Sequence, residues 1–215
     1  MGRRAFDVLA SAGALALAAP ILLAALVAIR LESRGNPIYR QRRVGKHGRE
    51  FDVLKLRTMV SGAEAMGAGL AVSAGDARIT RVGTLLRRTS IDELPNLVNV
   101  LKGEMAIVGP RPTVPAQVAH YSARQRGRLA VKPGLTGWAQ VNGRTALSWD
   151  ERIELDLWYV EHRSVLLDAR IIWRTVGLVL GGDDVHRDGP AWRVTDGDRE
   201  PEMTARQPDT PRDRL

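Results

Sequence analysis

Apolar positions fall into one long stretch near the N terminus and a series of short periodic segments after it. From Val8 to Ile29 the chain carries no charge over 22 positions. At about 1.5 Å per helical residue, such a run just reaches across the roughly 30 Å hydrocarbon layer of a bilayer. Three readings compete for it. A cleaved leader fits Arg3-Arg4 ahead of the run, but Ala28-Ile29-Arg30 offers no convincing small-residue cleavage site. A straight membrane span is the default from hydropathy. A re-entrant hairpin broken at Pro20 would leave by the face it entered, keeping Arg3, Arg4, Arg30, Arg34, Arg40, Arg42 and Arg43 on one side. Broken backbone at membrane depth is costly unless re-satisfied, so hydropathy alone favours the span.

Beyond the run, Ile38–Val44 and Phe51–Thr58 flank the turn Gly45-Lys46-His47-Gly48 and predict a β-hairpin. In its second strand, alternation sets Leu54 and Leu56 on one face and Lys55 and Arg57 on the other. Two cations so spaced suit a diphosphate, and a solvated sheet face explains them as simply. Residues 60–77 are rich in Gly, Ala and Ser and read as loop or short helical pieces. Helical spacing predicts short helices over 79–86 and around Leu97, Val98 and Leu101, the second stopped by Gly103. Pro115–Val131 reads as one helix, basic along Arg124, Arg126 and Arg128, and Lys132–Gly137 as the turn that follows. Two longer helices are predicted, Trp149–His162 and Val165–Leu180. The second has a broad apolar arc that suits either a core or a membrane interface.

Composition narrows the chemistry. Hydrophobic residues make up 44% of 215, enough for one domain with appendages. The absence of cysteine excludes disulfide scaffolds, thiol catalysis and cysteine-ligated zinc. Four scattered histidines argue against a histidine-built metal site, while a carboxylate-bound Mg²⁺ stays open. Net charge is +8. Residues 181–215 hold six arginines against nine acids and read as a disordered tail, which leaves 26 bases against 15 acids in the rest. A body that basic seeks nucleic acid, an anionic membrane surface or phosphorylated substrates.

The densest chemistry is Arg87-Arg88-Thr89-Ser90-Ile91-Asp92-Glu93-Leu94-Pro95-Asn96, with Gly109-Pro110-Arg111-Pro112 downstream. Adjacent carboxylates among guanidinium groups suit phosphoryl transfer, the acid as nucleophile or metal ligand and the bases as phosphate holders. Ser90 to Glu93 also has the spacing of a helix capping box. Pro95 weakens that alternative, since a proline sits better at a helix start than in its first interior turn. Spacing by itself leaves both open.

The ordered series of motifs resembles the bacterial sugar transferases, monotopic phosphoglycosyl transferases that load a polyprenyl phosphate carrier. The series is Leu54-Lys55-Leu56-Arg57-Thr58-Met59, then Arg87 to Pro95, Gly103-Glu104-Met105-Ala106-Ile107-Val108-Gly109-Pro110-Arg111-Pro112, Lys132-Pro133-Gly134-Leu135-Thr136-Gly137-Trp138, Gln140-Val141-Asn142-Gly143-Arg144, and Asp156-Leu157-Trp158-Tyr159 leading to Asp168. The resemblance runs from the apolar segment to about residue 180. It implies transfer of a phosphosugar from a UDP-sugar to polyprenyl (undecaprenyl) phosphate, giving polyprenyl-diphosphate sugar and UMP. Such a step primes exopolysaccharide or other glycan synthesis. On this resemblance Asp92 is the nucleophile that forms a covalent phosphosugar intermediate, and Glu93 is a general base or positions the carrier phosphate. Mg²⁺ is the implied cofactor, held near Asp92. Arg88, Arg111 and Lys55 are the candidate phosphate holders, followed by Arg57 and Arg144. Asp156, Asp168, Trp138 and Gln140 are supporting candidates.

The same resemblance favours the re-entrant helix, kinked at Pro20, though this chain has Ala19-Pro20 where relatives commonly have Ser-Pro. It also has Ala106 where relatives often have serine. The expected fold is mainly α with a small β-hairpin (α+β). Residues 1–32 form the membrane helix, 33–181 a catalytic domain on the cytoplasmic face of the bacterial inner membrane, and 182–215 a disordered polar tail. Expected partners are the UDP-sugar, the polyprenyl lipid and the cytoplasmic leaflet, without nucleic acid. The sugar, the glycan and assembly as a homo-oligomer stay open. Rival readings are a membrane-tethered nucleic-acid-binding regulator and a non-catalytic assembly scaffold.

Overall fold

A computed structural model describes residues 2–66, 75–143 and 147–181. The predicted tail therefore lies outside the described residues. The architecture is α+β, as expected, with helices around two small two-stranded sheets. Helix α1 runs from Gly2 to Glu32, an alanine- and leucine-rich stretch with a mean hydropathy of 2.5 over its most apolar 18 residues. Helical backbone continues through Pro20, so α1 is one helix and not a hairpin of two. Proline removes its own N–H bond and crowds the carbonyl of Ala16, and the helix-forming Ala and Leu on either side carry the helix past it.

Both ends of α1 rest on the same domain. Near the start, Arg4 donates to the carbonyls of Val100 (2.5 Å) and Leu101 (2.7 Å), and Asp7 accepts from the Ile107 N–H at 3.1 Å. Arg3 pairs with Asp168 at 3.2 Å. Near the end, Ala25 and Ile29 pack with Leu56 and Leu86, and the Glu32 carboxylate accepts from the N–H groups of Arg81 and Val82. Between these contacts the helix presents apolar side chains outward, Leu17 83% and Leu23 65% exposed.

Strands β1 (Ile38–Val44) and β2 (Glu50–Leu56) form the predicted antiparallel hairpin. Its turn includes His47 at φ 57° and Gly48 at φ 76°. Strand β2 is covered on both faces. Phe51 and Val53 pack with Val100 and Met105, while Leu56 faces α1. Helix α2 (Arg81–Arg88) is capped by the Thr80 side chain, and α3 (Asn96–Lys102) ends at Gly103 in the left-handed region, as its sequence predicts.

Two expectations fail downstream. Pro115–Val131 is not one helix but α4 (Pro115–Ala119), an extended corner and a 3₁₀ turn over Gln125–Ala130. Ser122 and Gln125 exchange side-chain bonds with each other's backbone N–H and start the second piece afresh. Arg128, expected on a basic surface, is turned inward and 3% exposed. The supposed turn after Lys132 contains strand β4 (Gly134–Thr136), parallel to β3 (Ala106–Val108). A Cβ on Gly134 would lie 2.1 Å from the Gly109 nitrogen, so glycine is what lets these backbones approach. Helices α5 (Trp138–Asn142), α6 (Trp149–His162) and α7 (Val165–Leu180) complete the fold, the last two as predicted.

Candidate active site

The acidic pair lies on the seven-residue connection between α2 and α3. After α2, Ser90 takes a left-handed conformation (φ 55°), and a single 3₁₀ turn, Ile91–Glu93, leads through Leu94 and Pro95 into α3. A non-glycine residue in that region is strained by roughly 1–2 kcal/mol, and here it reverses the chain tightly enough to turn both acids inward. Asp92 is 4% exposed and Glu93 8%. The capping-box alternative is excluded, because the Ser90 side chain makes no cap bond and Glu93 is engaged elsewhere.

Glu93 gathers the cations. Its Oε1 accepts from Lys55 Nζ at 2.7 Å and from Arg111 Nη2 at 3.1 Å. Lys55 arrives on β2, whose alternation directs it to the same side as Phe51 and Val53. Arg111 arrives from the loop after β3, flanked by Pro110 and Pro112. Its side chain is 41% exposed, against 20% for Lys55, so one cation is seated and the other opens toward solvent. Buried Asn99 fixes the frame. Its amide donates to the Asp52 carbonyl (2.7 Å) and to Glu104, and its oxygen accepts from the Leu54 N–H at 3.1 Å. Arg87 Nε donates to Thr58 Oγ1 at 2.9 Å, tying the end of α2 to the exit of β2.

Comparison with known sequences decides the family: the bacterial sugar transferases match residues 1–182. The chain belongs to the bacterial sugar transferase family. The protein is accordingly an enzyme, a phosphoglycosyl transferase. This sugar transferase is 40% identical over 185 residues to the uncharacterized sugar transferase EpsL of Bacillus subtilis, covering 86% of this chain and 90% of the relative. It is 44% identical over 192 residues to the UDP-glucose:undecaprenyl-phosphate glucose-1-phosphate transferase of Caulobacter vibrioides, covering 86% of this chain and 72% of that one. The exopolysaccharide production protein ExoY of Rhizobium meliloti is 36% identical over 193 residues, with 83% and 85% covered.

Of the sugar transferase's predicted phosphate holders, Lys55 and Arg111 meet at Glu93 and the others do not. Arg57 turns away from Lys55 and donates from Nη2 to the carbonyl and hydroxyl of Ser33, both at 2.8 Å. The strand ends at Leu56, so alternation no longer governs Arg57; it clasps the end of α1 instead. Burial, with Arg30 nearby, lowers its pKa. Arg88 is exposed on the last turn of α2, and its side chain makes no hydrogen bond or ion pair with the described residues. Arg144 lies outside the described residues.

The supporting candidates have other partners. Asp156 is 2% exposed and paired with Arg128. Asp168 accepts from Tyr159 Oη at 2.8 Å and pairs with Arg3; burial pushes its pKa up. Trp138 stacks on Trp158 with ring centroids 5.1 Å apart, and the Arg174 guanidinium sits 5.5 Å from its centroid. Gln140 donates to the Leu135 carbonyl at 3.3 Å, while its own oxygen is buried without a partner among the described residues. Asn99 escaped the sequence reading, and Arg87, read there only as part of the basic run before the acids, ties α2 to Thr58 instead. Asn99 had a signal, a polar residue within the apolar face of α3.

Among the described residues no group of three or more His, Asp or Glu side chains gathers as a metal cage. At the acidic pair Glu93 Oε1 already accepts from Lys55 and Arg111, which leaves Asp92 as the carboxylate that would hold a Mg²⁺ ion whose shell is completed by phosphate and water.

Proposed function

We propose that this enzyme transfers a phosphosugar from a UDP-sugar to undecaprenyl phosphate through a covalent intermediate on Asp92. The observation that carries the reading is the buried Asp92–Glu93 turn with Lys55 and Arg111 converging on Glu93. A carboxylate approaching a diphosphate meets like charge, so attack needs cations already fixed at the site.

In the first step an Asp92 oxygen bonds to the sugar-bearing phosphorus. The bond from that phosphorus to the bridging oxygen breaks, and UMP leaves with the electron pair. In the second step a phosphate oxygen of the lipid carrier bonds to the same phosphorus, the aspartyl P–O bond breaks, and Asp92 returns as carboxylate. Splitting the exchange lets a water-soluble donor and a lipid acceptor use one site in turn. Glu93 holds Lys55 and Arg111 in register for the phosphate oxygens and positions the carrier phosphate. Mg²⁺ held through Asp92 and substrate phosphates would offset the charge of the departing nucleotide.

Membrane seating supports the same reading. Both ends of α1 dock on the catalytic domain, which favours a helix that dips into one leaflet over a span. On α7, Leu166 is 82% exposed and Trp173 80%, an apolar face suited to the interface. The site would then sit at the cytoplasmic leaflet of the inner membrane, beside the carrier's phosphate.

The test uses purified protein with UDP-glucose, UDP-galactose and UDP-N-acetylgalactosamine, with and without undecaprenyl phosphate and Mg²⁺. UMP release that requires the lipid for multiple turnovers, with added phosphosugar mass on the protein when donor alone is present, supports it. Lipid-linked product without any such adduct would remove the covalent step.

A further inference from the structure

We propose that the buried Arg128–Asp156 pair is a positioning device, fixing the backbone of Arg111 and so aiming its guanidinium at Glu93. The inference rests on the role given to Arg111 above and adds two residues that touch neither substrate nor Glu93.

The loop that carries Arg111 needs outside support. Pro110 and Pro112 have no N–H, so at these positions the backbone can be held only through carbonyls. All four consecutive carbonyls are taken. That of Pro110 accepts from Gly134 N–H at 2.9 Å and that of Arg111 from Arg128 Nη2 at 3.0 Å. That of Pro112 accepts from Arg43 Nη1 at 3.2 Å, and that of Thr113 from Val44 N–H at 2.9 Å. The Arg111 carbonyl belongs to the residue that reaches Glu93.

Arg128 is 3% exposed and uses its planar fork on three separate elements. Nη2 donates to Asp156 of α6 and to the Arg111 carbonyl, and Nη1 donates to Tyr121 Oη at 2.6 Å. Tyr121 Oη in turn donates to Thr113 Oγ1 at 3.0 Å, a second tie to the same loop. The guanidinium also lies 5.5 Å from the Trp149 ring centroid. Stability alone is a poor reason to keep such a pair, because well-packed apolar side chains commonly replace a buried ion pair at no loss. What apolar side chains cannot supply is a donor to the Arg111 carbonyl. Lysine cannot supply the fork either, having one ammonium for three acceptors in different directions.

The experiment is a mutant cycle read by steady-state UMP release, using whichever of the three UDP-sugars above turns over fastest. Arg128→Met with Asp156→Leu removes both buried charges together, and thermal denaturation should show a folded protein, destabilised by no more than the Arg111 carbonyl left without its donor accounts for. Its kcat should fall about 10- to 100-fold, the scale of a small misplacement of a catalytic group. In an Arg111→Ala background the same pair of changes should cost less than about twofold, since the group they position is gone. Arg128→Lys keeps the charge opposite Asp156 and provides the same cycle should the apolar pair not fold; it should lose activity with Arg111 present and not without it. Native kcat in a stable Arg128 variant, or equal losses with and without Arg111, would overturn the proposal. Native activity of Arg111→Ala alone would instead overturn the role given to Arg111, a distinguishable failure.

Discussion

Lys55 and Glu93, 38 positions apart in the chain, meet with 2.7 Å between ammonium and carboxylate oxygen. One comes from a strand and the other from a strained turn, and neither element is free to drift: β2 is covered on both faces, and the turn is closed between two helices. A third element brings Arg111 to the same oxygen. The charge pattern is thus held by the fold itself, which on the proposed reaction would let the site stabilise developing charge without reorganising.

Asp92→Asn should abolish turnover, a loss of about a thousandfold or more for removal of a nucleophile. Intact-protein mass after incubation with donor alone checks it: wild type should gain the phosphosugar and the variant should not.

Glu93→Gln keeps the shape but removes the charge that draws Lys55 and Arg111 together. Lipid-linked product should form about 10²- to 10³-fold more slowly, as when one oriented polar group is lost from a reacting site. Circular dichroism should stay native. A rate within a few fold of wild type would take Glu93 out of the mechanism.

Glu32 accepts from two otherwise unsatisfied N–H groups at the start of α2. Glu32→Ala should therefore lower stability by about 1 kcal/mol, the usual worth of a helix cap. Denaturant unfolding in detergent measures it.

Burial raises the pKa of Asp168 above its ordinary 3.8. Between those two values the folded protein binds more protons than the unfolded chain, so this group's contribution is full below pH 3.8 and is lost as pH rises through the folded value. Asp168→Asn can still accept from Tyr159 but no longer titrates. The difference in melting temperature, wild type minus variant, should fall as pH rises across that window; a flat difference would contradict the shift.

Gly2→Cys and Arg34→Cys, introduced singly into this cysteine-free chain, bracket α1. In sealed membrane vesicles both should react with an impermeant maleimide from the same side. Labelling from opposite sides would establish a span.

Local signals were legible where local rules decide. The β1–β2 hairpin followed from alternation and its glycine turn, and α6 and α7 from helical spacing. Strands β3 and β4, three residues each, carry no usable period; they exist because Gly109 and Gly134 let two backbones meet. Arg128 read as a surface base because its partner Asp156 lies 28 positions away, beyond any window. At the site, sequence pointed to the acids and to Lys55 and Arg111. It misdirected Arg57, since the end of β2 cancels the alternation that had paired it with Lys55.

On the proposed one-leaflet seating, Arg3, Arg4 and Asp7 at one end of α1 and Arg30 and Glu32 at the other all stay with the rest of the protein, so no ionic side chain would have to be dragged through oil. Each such passage would cost about 3 kcal/mol at mid-bilayer. Such docking would be a wedge pressed in from one side, its depth setting how far the proposed nucleophile, Asp92, stands above the lipid surface.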